Sequence, residues 1–206
     1  MVTTADSAGH NISESGIASL DEHHFVVMNA IFLKKIATSD EVATLTGIDG
    51  AELNAILDFA VGAGLIMTTD SGHLLLPDGS SAVARHYTKT YQALRDSPVL
   101  NEWYAQFESI NTRFIAAITA WQQDQSDDLL FKALDIVERL CTRIEALVLL
   151  VPRYNDYQRR FEAAGGLVES GDSDLLCNPR RDSVHNIWFE FHEDILCVMG
   201  RVRDTT

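Results

Sequence analysis

Seven histidines, three cysteines and a set of aromatic residues at helical spacing are the side chains of this chain with chemical potential. His185 and His192 lie seven residues apart, with Glu193 beside the second. Two imidazoles two helical turns apart, with a carboxylate near, offer a metal pair or an acid and a base. Along a helix, however, their rings stand roughly 10 Å apart, and no further Cys or His completes a ligand set. No metal site is therefore expected, and the alternative is a pair of polar residues hydrogen-bonded at a helix interface. His23 and His24 open an earlier helix and also lack further ligands. Arg139 and Arg143, one turn apart, can meet one anion or pair with Asp135 and Glu138 on a solvated face. Arg153, Tyr154, Tyr157, Arg159 and Arg160 alternate basic and aromatic character, yet Asp156 and Glu162 are interleaved. They read as a surface helix with snorkelling arginines.

The aromatic stripe needs a long helix to carry it. Leu100, Trp103, Tyr104, Phe107, Ile110, Phe114, Ile118 and Trp121 recur every three or four residues, which predicts a helix over 99–123. The first reading of such density is core; the sharper one is an aromatic-lined pocket for a flat effector. In that version Trp103, Tyr104 and Phe107 meet Trp188, His185 and His192 of the last helix, predicted over 183–202, with Arg139 and Arg143 as anion-binding candidates. Helices are also expected over 21–36, 129–150 and from about 152 to a stop at Gly165-Gly166. Residues 170–182 read as a loop.

The organising stretch is 38–79. Ser39 is placed to cap a helix over 40–45, Gly47 to end it, Asp49 to cap a second helix over 51–63, and Gly64 to stop that one. Leu65-Ile66-Met67 and His73-Leu74-Leu75-Leu76 read as two strands about an Asp70-Ser71-Gly72 turn. Glu41-Val42-Ala43 before Thr46-Gly47-Ile48, Ala63-Gly64-Leu65-Ile66, and Leu74-Leu75-Leu76-Pro77-Asp78-Gly79 together resemble the winged helix-turn-helix of bacterial transcription regulators such as the MarR and ArsR families. The resemblance covers residues 22–80. It implies a mainly α fold, with an N-terminal winged helix-turn-helix and two-stranded wing followed by an all-α domain. The expected organisation is a mobile tail over 1–17, the winged-helix domain over 18–80, a break at Gly79-Ser80-Ser81, and a helical domain for dimerisation or ligand sensing over 81–206. The closing Trp188–Asp194 and Gly200–Arg203 also look like the tails of some actinobacterial phosphoenolpyruvate-utilising dikinase-related proteins. The ATP site and phosphohistidine loop of those proteins have no counterpart here, so their catalysis is not implied.

Charge bears directly on what such a fold would touch. The 206 residues carry a formal charge of −14, half of it within residues 1–90, where four Lys and Arg face eleven Asp and Glu. Phosphate neutralisation by Lys and Arg supplies most nucleic-acid affinity. The helix that would enter the major groove has Glu52, Asn54, Ala55 and Asp58 outward and no cation. Only Asn54 suits a bidentate base contact. Lys34, Lys35, Arg85 and Lys89 complete the DNA-contact candidates. The leading expectation is a winged-helix transcriptional regulator with a helical sensing or dimerisation domain, acting as a homodimer; DNA is a partner disfavoured by charge. The alternative is an accessory module that docks on a partner protein without binding DNA. No nucleophile elbow, phosphate loop or dinucleotide fingerprint is present, so the reading is not an enzyme, and no cofactor is implied. Three widely spaced cysteines, no secretory signal and no apolar run of membrane-spanning length point to the cytoplasm and away from a membrane.

Overall fold

A computed structural model describes residues 20–202; the tail expected over 1–17 lies outside them. The first helix, α1 (Glu22–Lys34), starts where Asp21 accepts the His24 amide at 2.9 Å, a hydrogen bond that also holds the Asp21 carboxyl below the ordinary carboxylate range. It ends two residues earlier than expected. Lys35 turns to φ 71°, and Ala37 then pairs with His73, its amide donating to the His73 carbonyl at 3.1 Å and its carbonyl accepting from the His73 amide at 2.8 Å.

Helix α2 (Ser39–Thr46) is capped by Thr38 rather than Ser39. Thr38 and Glu41 form a reciprocal capping box, which satisfies two helix-end amides at once. The Ser39 hydroxyl lies instead 3.0 Å from His73 Nε2. Gly47, at φ 69°, closes α2 as expected. Helix α3 (Gly50–Gly62) follows, with Asp49 at its cap position but making no side-chain cap bond. Strands β1 (Ile66–Thr69) and β2 (Gly72–Leu75) pair antiparallel, Ile66 opposite Leu75 and Thr69 opposite Gly72, so the turn is Asp70-Ser71. Gly72 belongs to the strand: its φ of 125°, and an Ala37 carbonyl 2.5 Å from where a Cβ would stand, exclude a side chain.

The expected break at 79–81 is a helix. Helix α4 (Pro77–Arg95) begins with Pro77 in its first turn, where a missing amide costs nothing. Gly79 is there for close approach, since a Cβ would overlap the Leu65 carbonyl oxygen. The expected division at 80/81 therefore falls inside α4. Helices α5 (Pro98–Gln123), α6 (Asp127–Val148) and α7 (Tyr154–Glu169) pack in succession. Helix α7 runs through Gly165-Gly166, where it was expected to stop. A 3₁₀ turn at Ser173–Leu176 interrupts the 170–182 loop and leads to α8 (Val184–Met199), capped by Ser183 and ended by Gly200 at φ 67°.

The described chain is mainly helical, with one two-stranded sheet. Helix α1 packs on α2, α3, α4 and α8, and α4 packs on α8. One apolar core runs from Phe25, Met28 and Ile31 through Val83 and Tyr87 to Phe107, Trp188 and Phe191. No helix among the described residues is long and apolar enough to cross a membrane.

Candidate functional site

Three regions gather the polar chemistry. The first is the outer face of α3. Leu53, Ile56 and Leu57 point into the core, so the helical period leaves Asp49, Glu52, Asn54, Ala55 and Asp58 exposed. Glu52 lies 2.5 Å from His23 Nδ1. Phe59 and Val61, near the helix end, are 51% and 45% exposed, and Met67 on β1 is 43% exposed. Of the five residues expected to contact DNA, Asn54, Lys35, Arg85 and Lys89 are exposed, with the Lys35 ammonium over the Phe32 ring. Lys34 is not available to a phosphate: its Nζ lies 2.8 Å from Glu190 and 3.2 Å from Asp182. At the hairpin base, His73 is buried between the Ser39 and Thr68 hydroxyls, and burial lowers its pKa.

The second region is the anchor of that lysine. Asp194 is fully buried on α8. Its carboxylate accepts from Arg153 Nε at 3.0 Å and from the same guanidinium's Nη2, and from the Tyr157 hydroxyl at 3.2 Å. The Tyr87 hydroxyl lies within reach of both Asn29 Oδ1, at 2.7 Å, and Asp194 Oδ1, at 3.0 Å. One turn earlier on α8, Glu190 accepts from Arg160 at 2.6 Å, and Arg160 also holds Asp182 at 2.9 Å. Burial works against the Asp182 charge, but Arg160 and Lys34 outweigh it and keep its pKa low. Burial, then the Asp194 charge, pushes Tyr87, Tyr154 and Tyr157 well above the usual phenol range, so they remain donors. Lys34, Arg153 and Arg160 balance Asp182, Glu190 and Asp194. Such a network ties α1, α4, α7 and α8 together and holds no surplus charge for a ligand.

Arg153 and Arg160 were expected at the surface; Arg160 is buried, and the Arg153 side chain nearly so. The signal lay on the last helix. Glu190 and Asp194 are four residues apart on α8, among the apolar Ile187, Phe191 and Ile195, and buried carboxylates require partners.

The third region is a groove between α5 and α8, about 920 Å³ in volume. Tyr104, His185, Trp188 and His192, four of the eight residues named for an effector pocket, line it. Trp188 donates its indole N–H to Asn111 at 2.9 Å and stacks on Phe114, centroids 3.8 Å apart and rings 9° from parallel. The Tyr104 hydroxyl lies 3.3 Å from His192 Nε2, and Glu108 Oε1 lies 3.6 Å from the same nitrogen. The other four expected pocket residues are elsewhere. Trp103 and Phe107 are buried in the core, Trp103 donating to the Arg143 carbonyl at 2.9 Å. Arg139 pairs with Asp135 on the surface, and Arg143 reaches Gln106. Burial lowers the His185 pKa. Phe114, named in the stripe, and Glu108 and Ile115, which follow Tyr104 at i+4 and i+11 on the same helix face, also line it but were not among the expected pocket residues.

Among the described residues no three His, Cys, Asp or Glu side chains gather as a metal site. The three cysteines are free and half-buried. Burial pushes the thiols of Cys141 and Cys197 up to about 12 and that of Cys177 to about 11, which makes them poor nucleophiles at neutral pH. No family model, no curated protein and no solved structure matches this chain.

Proposed function

We propose that the chain is a protein-docking module built on a winged-helix arrangement, with the helices after α4 as its support. The order of α1, a bridge at Ala37, α2, α3 and a hairpin supports that arrangement. The single observation that carries the function is the outer face of α3. It presents Asp49, Glu52 and Asp58 and no Lys or Arg, while the nearby cation Lys34 is held inside by Glu190. A phosphate backbone would be repelled by this face. A protein surface with Lys or Arg around an apolar anchor would be attracted by it, with Phe59 and Val61 as the apolar complement. The free cysteines fit a module working in the reducing cytoplasm.

The reading as a DNA-binding regulator keeps one supporting observation. Asn54 is exposed on the same face, where it would meet base edges. A salt titration separates the two. Fluorescence anisotropy with a random duplex, from about 50 to 200 mM salt, should show no sub-micromolar binding at any point. Sub-micromolar binding with a steep salt slope overturns the docking reading. A solution mass measured on the same sample tests the homodimer that a regulator of this type would require.

A further inference from the structure

The groove between α5 and α8 has two unlike ends. Its floor is the parallel stack of Phe114 on Trp188. At its rim, Ile115 and Phe189 leave 56% and 40% of their surface in solvent although large and apolar. At the other end stand Glu108, His192 and Tyr104. An ionised carboxylate is an acceptor only, and the Glu108 side chain is about half exposed, open to an incoming donor. A cation already rests here. The guanidinium of Arg201, just past α8, lies 5.0 Å from the Tyr104 ring centroid and is fixed by a 2.8 Å hydrogen bond to Asn101. The chain thus places its own positive charge on the aromatic face at this end, as the ring quadrupole favours. The volume of about 920 Å³ lies within the range of small-molecule sites.

We propose that this groove binds a flat aromatic ring that carries an alkylammonium side chain, the ring held by the apolar part and the protonated nitrogen donating to Glu108. An aromatic acid is disfavoured. Its carboxylate would stand against Glu108, and the Arg201 guanidinium is engaged by Tyr104 and Asn101. The inference is independent of whether α3 meets protein or DNA.

Calorimetry on the full chain near neutral pH tests it, with tryptamine, indole and indole-3-acetate as probes of one ring and three charges. Tryptamine is expected to bind about tenfold more tightly than either of the others, the worth of one charge-assisted hydrogen bond. Glu108→Gln should remove that advantage without lowering the melting temperature, because Glu108 is not in the core. Arg201→Ala should tighten tryptamine by removing the competing internal cation. Four results overturn the proposal: equal affinity for the three probes, preference for the acid, no heat from any probe at millimolar concentration, or a Glu108→Gln protein that binds tryptamine like the wild type.

Discussion

Asp194 and Arg153 face each other where α8, α4 and the start of α7 meet, in a region almost closed to solvent. Breaking such a pair strands a buried charge, whereas replacing both members by apolar residues of similar size does not. Asp194→Ala is expected to lower unfolding free energy by about 3–5 kcal/mol, read from urea denaturation. The double change Asp194→Leu with Arg153→Met should recover most of that loss. A double variant as unstable as the single one would show that the tyrosines around Asp194, rather than Arg153, carry its contribution. His86 is the second residue with a clear consequence. Its ring stacks on Phe25 at 3.8 Å, and its Nδ1 lies 3.3 Å from the Leu20 carbonyl, which assigns the proton there. The Nε2 is buried without a hydrogen-bond partner among the described residues, 3.9 Å from Glu22. Burial lowers the His86 pKa, helped by Arg153 and Lys89 and opposed by Leu20 and Glu22. The folded state therefore prefers the neutral ring. Its contribution is complete above the unfolded value of about 6.5 and is lost as pH falls through the lower folded value. Denaturation at pH 7 and pH 5 should show the wild type losing stability on acidification, and His86→Phe losing less. His73 and His185 shift in the same direction, so part of the slope should persist in the variant.

At the scale of elements, two glycines explain two misread boundaries. Glycine after a proline reads as a turn, and a Gly-Gly pair reads as a helix end. In the fold Gly79 lies in the first turn of α4, and the residue there is a glycine because the Leu65 carbonyl, just before β1, fills the space of a Cβ, while Gly166 stands in α7 with open space around it. The two should respond oppositely to the same change. Gly79→Ala is expected to destabilise by about 1–3 kcal/mol through overpacking, and Gly166→Ala to stabilise by about 0.5–1 kcal/mol through chain entropy. Thermal melts of the pair check both signs. The capping of α2 was missed for a related reason. Ser39 and Thr38 are equally good caps by composition, and Glu41 three residues after Thr38 decides between them. Thr38→Ala should accordingly cost about 1 kcal/mol.

For the whole molecule the question is whether the chain behaves as one cooperative unit or two. A division at 80/81 would cut α4 near its start, and Tyr87, about two turns further on, reaches Asn29 of α1 and Asp194 of α8 together. Lys34 adds a second tie across the same junction. Calorimetric unfolding is therefore expected to give one transition, with van't Hoff and calorimetric enthalpies in agreement. Two resolved transitions would show that these ties are weaker than the core on either side. The net charge of −14 acts at this scale as well, opposing the long-range approach of nucleic acid.

What the sequence determined by itself is local. Helical spacing, the Gly47 and Gly64 stops, a hairpin in the region of Asp70-Ser71-Gly72 and the absence of cations from α3 all depend on residues within a few positions of one another, where backbone sterics and capping act. Tertiary structure alone decided that Lys34 turns inward, that Arg153 and Arg160 are buried, and that Trp103 and Phe107 lie in the core while Tyr104 and Trp188 face a groove. Each of those outcomes depends on which helix packs against which. A side chain's neighbours across the core stand tens of residues away, and periodicity identifies an apolar stripe without identifying the element that covers it.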